Sequence, residues 1–149
     1  KKFYFMTYNQ LITTITSLLQ SHAMIETAKF TTPKEWLLRD EQPVYPIACF
    51  SVNSGSLNLG REQVFNVQFF FLDKSGKEAE FENDVISDQI QTASDILSLM
   101  RTGRKDYSID DNVSFNAISD KYEDYLAGVE LTINISTQNE FTGCNVPLL

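Results

Sequence analysis

Glu62-Gln63-Val64-Phe65-Asn66-Val67-Gln68-Phe69-Phe70-Phe71-Leu72-Asp73 is the most strongly patterned stretch of the chain, and the architecture is read from it. Phe65, Val67, Phe69 and Phe71 alternate on one side, while Asn66, Gln68, Phe70 and Leu72 take the other. Side chains of a strand point to opposite faces in turn, so this period of two marks a strand. Both faces are partly apolar, which places the strand centrally in a sheet. Asp73-Lys74-Ser75-Gly76 follows as a turn signal.

On the upstream side, Val44 to Val52 is an apolar, β-branched and aromatic run of strand length, with Pro46 marking an edge or a strand start. Asn53-Ser54-Gly55-Ser56 then reads as a turn or loop tip. Farther upstream, Thr7 and Gln10 form a capping-box pair that opens a helix running to about Met24, with Leu11, Ile12, Ile15, Leu18 and Leu19 on one face. Between Glu26 and Pro43 the periodicity is lost. Thr32-Pro33 and Glu41-Gln42-Pro43 punctuate a connecting loop around Trp36, which anchors it to the core or to a neighbouring subunit.

Downstream, Ile86, Ile90, Ala93, Leu97 and Met100 form one stripe of a second helix from about Asn83 to Thr102. Glu82 and Asp84 at its start and Arg101, Arg104 and Lys105 at its end complement the helix dipole, and Gly103 is a natural stop. Asn112 to Ser119 alternates weakly and reads as a third strand. In the last strand, Val129, Leu131, Ile133 and Ile135 oppose Glu130, Thr132, Asn134 and Ser136, so one face is solvated or meets a polar partner. The charged connection from Asp120 to Gly128 carries Tyr122 and Tyr125. Residues 1–5 read as an upstream extension if Met6 is the natural start, and residues 138–149 as a tail without period.

The order α-β-β-α-β-β predicts a single α+β domain over residues 1–149. It takes the form of a two-layer sandwich, a mostly antiparallel four-stranded sheet with both helices on one face. A chain of 149 residues can bury a sizeable core without disulfides or metals.

A net charge of -8 disfavours phosphate-backbone binding, which draws its affinity from Lys and Arg. An acidic surface still suits a pore wall past which DNA must slide without sticking. The two cysteines, Cys49 in an apolar run and Cys144 in a polar segment, have no zinc or redox spacing; a buried thiol at Cys49 and a disulfide between the two both remain open. No stretch reads as a signal peptide or a membrane span. His22 is the sole histidine, and no nucleotide, nucleophile-elbow or zinc-protease motif accompanies it. Asp106, Asp110, Asp111 and Asn112 lack the alternate ligands, central glycine and closing glutamate of an EF-hand loop, and read as a solvated loop. No enzymatic activity, cofactor or metal is expected. Arg101 and Arg104 complete the dipole or pair with carboxylates of an adjacent subunit, and subunit contacts are expected through the Gly55 to Gly60 segment, the tail after Thr137 and the Asp120 to Gly128 connection, whose Tyr122 and Tyr125 suit an interface because tyrosine buries area at low entropic cost.

The element order and several local runs resemble the tail terminator and tail-completion proteins of tailed phages, which work at the neck. The carriers are the N-terminal amphipathic helix, Tyr45-Pro46-Ile47, Phe69-Phe70-Phe71-Leu72-Asp73, the helix from Asn83, and the run from Tyr122 to Ile133. The resemblance spans about Thr7 to Pro147 and involves no invariant motif. It implies a structural virion protein, a homo-hexameric ring that caps the tail tube, contacts the neck or connector and lets DNA pass through its lumen. It also implies assembly in the host cytoplasm, and it brings no catalytic residue. Another head-to-tail adaptor or neck subunit, or an unrelated soluble binding module, are the rival readings.

Overall fold

Thr7 opens the first helix, α1 (Tyr8–Gln20), with the reciprocal bonds the sequence predicts. The Gln10 N–H donates to Thr7 Oγ1 at 3.2 Å, and the Thr7 N–H to Gln10 Oε1 at 2.9 Å. The helix stops at Gln20, before Met24, because the Ser21 N–H and hydroxyl turn back onto the carbonyl of Leu18. Ile25 then re-enters the core. The computed structural model describes residues 6–39, 43–76, 81–103, 106–119, 125–138 and 146–149.

After α1 come β1 (Thr27–Phe30), a short helix α2 (Pro33–Leu38), β2 (Ile47–Asn58), β3 (Glu62–Lys74) and the long helix α3 (Glu82–Arg101). β4 (Tyr107–Ile109), β5 (Phe115–Ile118) and β6 (Leu126–Gln138) complete the described elements. The sheet order is β1-β2-β3-β6-β4, with β5 beside β4 on the same edge of β6. β1 runs parallel to β2, and every other pair is antiparallel.

This corrects the expected four-stranded, mostly antiparallel sheet with two helices on one face. The described residues form a curled, mixed half-barrel sheet of six strands with three helices. The difference arises where periodicity has no room to show. β1, α2 and β4 have only four, six and three residues. Thr32-Pro33, read as loop punctuation, is an N-cap followed by proline at the first helical turn, and Thr32 Oγ1 accepts the Glu35 N–H at 3.3 Å. That helix makes the crossover a parallel β1–β2 pair requires. Asn53 to Ser56, expected as a loop tip, lies inside β2, where the register shifts between Val52 and Ser54. The hairpin turns farther on, at Leu59-Gly60-Arg61, with the Arg61 N–H on the Asn58 carbonyl and Gly60 at φ 81.

β3 occupies the predicted central place between β2 and β6. Val67, Phe69 and Phe71 join Phe50, Val129, Leu131 and Ile133 under α1 and α3 as the main core. Phe69 stacks between Phe50 at 5.7 Å and Phe71 at 6.2 Å, so Phe69→Ala is expected to cost about 3–5 kcal/mol in denaturant unfolding by opening a cavity. On the opposite face, Phe70 and Leu72 form a second cluster with Ile47, Cys49, Ile118 and Leu126, closed by Trp36 from α2. The two apolar faces of β3 thus serve two separate cores.

Candidate interaction surface

β1 covers β2 only from Ile47 to Phe50. From Ser51 to Asn58 no described strand pairs with the outer edge of β2, which leaves main-chain donors and acceptors facing outward. Such an edge pairs readily with another chain unless it is blunted. The bulge near Asn53 bends this one, and beyond it the hairpin carries two solvent-facing leucines, Leu57 (61% exposed) and Leu59 (76%). Arg61, also exposed, places a cation beside them.

The sheet face opposite α1 and α3 turns polar toward this hairpin. Asn53 Nδ2 donates to Asn66 Oδ1 at 3.3 Å, and Asn66 Nδ2 to Asn134 Oδ1 at 3.1 Å, a ladder crossing β2, β3 and β6. Gln68 Nε2 donates to Glu130 Oε2 one register step along. The polar alternation of β6 predicts this face, and the structure shows its amides satisfying one another.

At the other margin of the sheet, α3 stands off from β5 and the loop after β4, opening a groove of about 700 Å³. Ala93, Ser94 and Ser98 keep the helix wall low, and the lining is about half apolar, its apolar part coming from residues such as Leu97, Val113 and Phe115. Phe115 is half exposed there. The rim is acidic. Asp111 Oδ1 meets Arg101 Nη2 at 2.8 Å, and Asp110 Oδ2 accepts the Asn134 N–H at 3.2 Å. That second bond caps β6 between the segments paired with β4 and β5.

Of the sequence-predicted interface residues, Trp36, Arg101 and Tyr125 lie among the described residues, on three different elements. Trp36 is buried in its own chain, with the Lys29 ammonium 5.9 Å from its ring, while Leu38 close by is 75% exposed. Arg101, its side chain still 56% exposed, ties the end of α3 to Asp111. Tyr125 is partly exposed at φ 55, and its carbonyl is held by the Ser75 N–H (3.0 Å) and hydroxyl (2.9 Å). Tyr122, Arg104 and Cys144 lie outside the described residues. The groove was not singled out in the sequence, whereas the hairpin tip falls within the Gly55 to Gly60 segment expected to reach a neighbouring subunit. The signal for the tip was Leu57-Asn58-Leu59-Gly60-Arg61, two apolar residues at a glycine turn.

His22 joins the end of α1 to α3. Its Nδ1 accepts the Met24 N–H at 3.0 Å, so the ring proton sits on Nε2, which donates to Asp95 Oδ2 at 2.9 Å. That bond, with a second from Gln91 Nε2, holds the Asp95 carboxyl below its ordinary range. No nucleophile completes a catalytic arrangement among these contacts. Burial pushes the Cys49 thiol well above its usual range, a thiol with little thiolate to offer as nucleophile or ligand. Among the described residues no group of three His, Cys, Asp or Glu is placed to hold a metal ion, and no helix is long and apolar enough to cross a membrane. Among known proteins, no family model and no curated sequence matches this chain.

Proposed function

We propose that the protein is a structural ring subunit of a tailed phage particle, a tail terminator or completion protein that caps the tail tube and meets the neck. The observation that supports it best is the outer edge of β2 from Ser51 to Asn58, which no strand among the described residues covers and which ends in the exposed Leu57 and Leu59. A chain that works alone is expected to blunt such an edge with charge, proline, a bulge or a covering segment, and of these the described residues show only the register shift between Val52 and Ser54. Here the edge bears Ser51, Val52, Asn53, Ser54, Gly55, Ser56, Leu57 and Asn58, with no charge among them. A net charge of -8 on each copy suits a lumen through which DNA slides unbound. The family resemblance supplies the hexameric closure, one of the cyclic symmetries in which a head-to-tail contact ends.

Light scattering after size exclusion, followed by negative-stain microscopy, tests this. Closed rings with a central channel are expected, and a gel-shift assay is expected to show no retention of duplex DNA. A chain that stays monomeric up to roughly 100 µM overturns the ring, since a contact too weak to form there sustains no particle joint. Retention of DNA at moderate salt overturns the non-adhesive lumen.

A further inference from the structure

We infer that the hairpin tip of one copy docks in the groove beneath α3 of the next, Leu57 and Leu59 against its apolar wall and Arg61 against the Asp110–Asp111 rim. This deepens the ring reading and rests on it.

The tip and the groove are complementary in both their apolar and their charged groups. The tip offers two leucines, each more than half exposed, next to one exposed guanidinium. The groove offers an apolar lining along Ala93, Leu97, Val113 and Phe115, next to two exposed carboxylates. Its volume of about 700 Å³ lies within the range that takes up a ligand's apolar groups. Arg101 occupies one oxygen of Asp111, whose side chain is nevertheless 85% exposed and keeps room for a second cation.

A tip cannot reach its own groove. β2 is separated from β4 and β5 by β3 and β6, three inter-strand spacings of roughly 4.8 Å each. The hairpin is also held along its length by pairing from Glu62–Gln138 to Lys74–Leu126. The occupant is therefore a second copy. Because tip and groove lie on opposite margins of the sheet, the contact joins unlike patches and repeats from copy to copy, as a ring needs. The leucines supply affinity, and the Arg61–carboxylate pairing sets the register.

Four purified variants and one mixture test this by light scattering, with circular dichroism and melting to verify the fold. Leu57→Asp with Leu59→Asp disables the tip, and Ser94→Arg, at an exposed position of α3, obstructs the groove. Each variant alone is expected to be a folded monomer under conditions where the wild type assembles. A one-to-one mixture retains one good tip and one good groove, and is expected to yield a two-chain complex and nothing larger. In the third variant Arg61→Glu weakens assembly, and in the fourth, adding Asp110→Arg and Asp111→Arg to it restores assembly. Should the aspartates unfold the hairpin, Leu57→Ser with Leu59→Ser gives the same reading, and Ser98→Arg replaces Ser94→Arg likewise. A wild type that assembles while the tip variant assembles equally well overturns the docking and leaves the ring standing, as does a mixture that stays monomeric. A wild type that never assembles overturns both.

Discussion

Gly128 leaves no room for a methyl group. It pairs with Leu72, and a Cβ there would lie 1.9 Å from the Phe71 carbonyl oxygen and 2.9 Å from its carbon. Backbone at the centre of a sheet cannot yield as a flexible side chain can, so β3 and β6 approach here only because residue 128 has no side chain. Gly128→Ala is expected to lower the urea midpoint by several kcal/mol of stability, in the range of severe core lesions of about 4–5 kcal/mol. An unchanged midpoint would mean that the two strands are farther apart. Thr137 presents the opposite case. It is buried between Tyr107 and Gln63, and its hydroxyl has no partner among the described residues. An unbonded buried hydroxyl loses its hydration for nothing, so Thr137→Val is expected to stabilise by about 1 kcal/mol in the same assay. A loss of stability instead would show that the hydroxyl is bonded.

The long elements were legible because their patterns repeat. The helix opened by Thr7 and Gln10, the Ile86 to Met100 stripe, and the alternations of β3 and β6 each extend over several periods, and each of these elements forms, β3 and α3 within a residue of their predicted bounds and α1 four residues shorter. β1, α2 and β4 were not legible, being shorter than the window in which a period can be told from chance. The groove was beyond reach for another reason. It exists only where α3 meets segments 109–115 and 129–131, a tertiary juxtaposition that no local pattern encodes. The joint between α1 and α3 is of the same kind, since His22 and Asp95 are 73 positions apart. It carries a pH signature. A carboxyl held below its ordinary value contributes stability above its unfolded pKa and loses it as pH falls through the lowered folded value. The acid limb of the wild-type stability profile, below a pH of about 4, therefore contains a part due to Asp95. Asp95→Asn is expected to flatten that limb in urea midpoints measured from pH 7 to pH 3. Parallel profiles for the two proteins would remove the coupling.

Charge opposes the assembly of this molecule, whereas the contact inferred for it is mainly apolar. Each copy carries -8, and copies brought side by side repel across distances set by the ionic strength. The screening length is about 30 Å at 0.01 M and about 8 Å at 0.15 M, so at low salt the repulsion reaches across much of a neighbouring subunit. Two effects compete as salt rises. Repulsion between the acidic bodies weakens, which favours the ring, and the pairing of Arg61 with the Asp110–Asp111 rim weakens too, which disfavours it. The rim pair lies among exposed groups, and exposed ion pairs contribute about 0–1 kcal/mol, whereas burying two leucines contributes about 1.5–3 kcal/mol each and is not screened. The apolar part therefore dominates the contact, and relief of repulsion dominates its salt dependence. The assembled fraction at fixed protein concentration is expected to rise between 0.01 M and 0.15 M salt, followed by light scattering, and the Arg61→Glu variant, at -10 per copy, to need more salt than the wild type for whatever assembly it keeps. An assembled fraction that falls over that interval would show that ion pairs hold the copies together, and would move the contact away from the leucines of the hairpin tip.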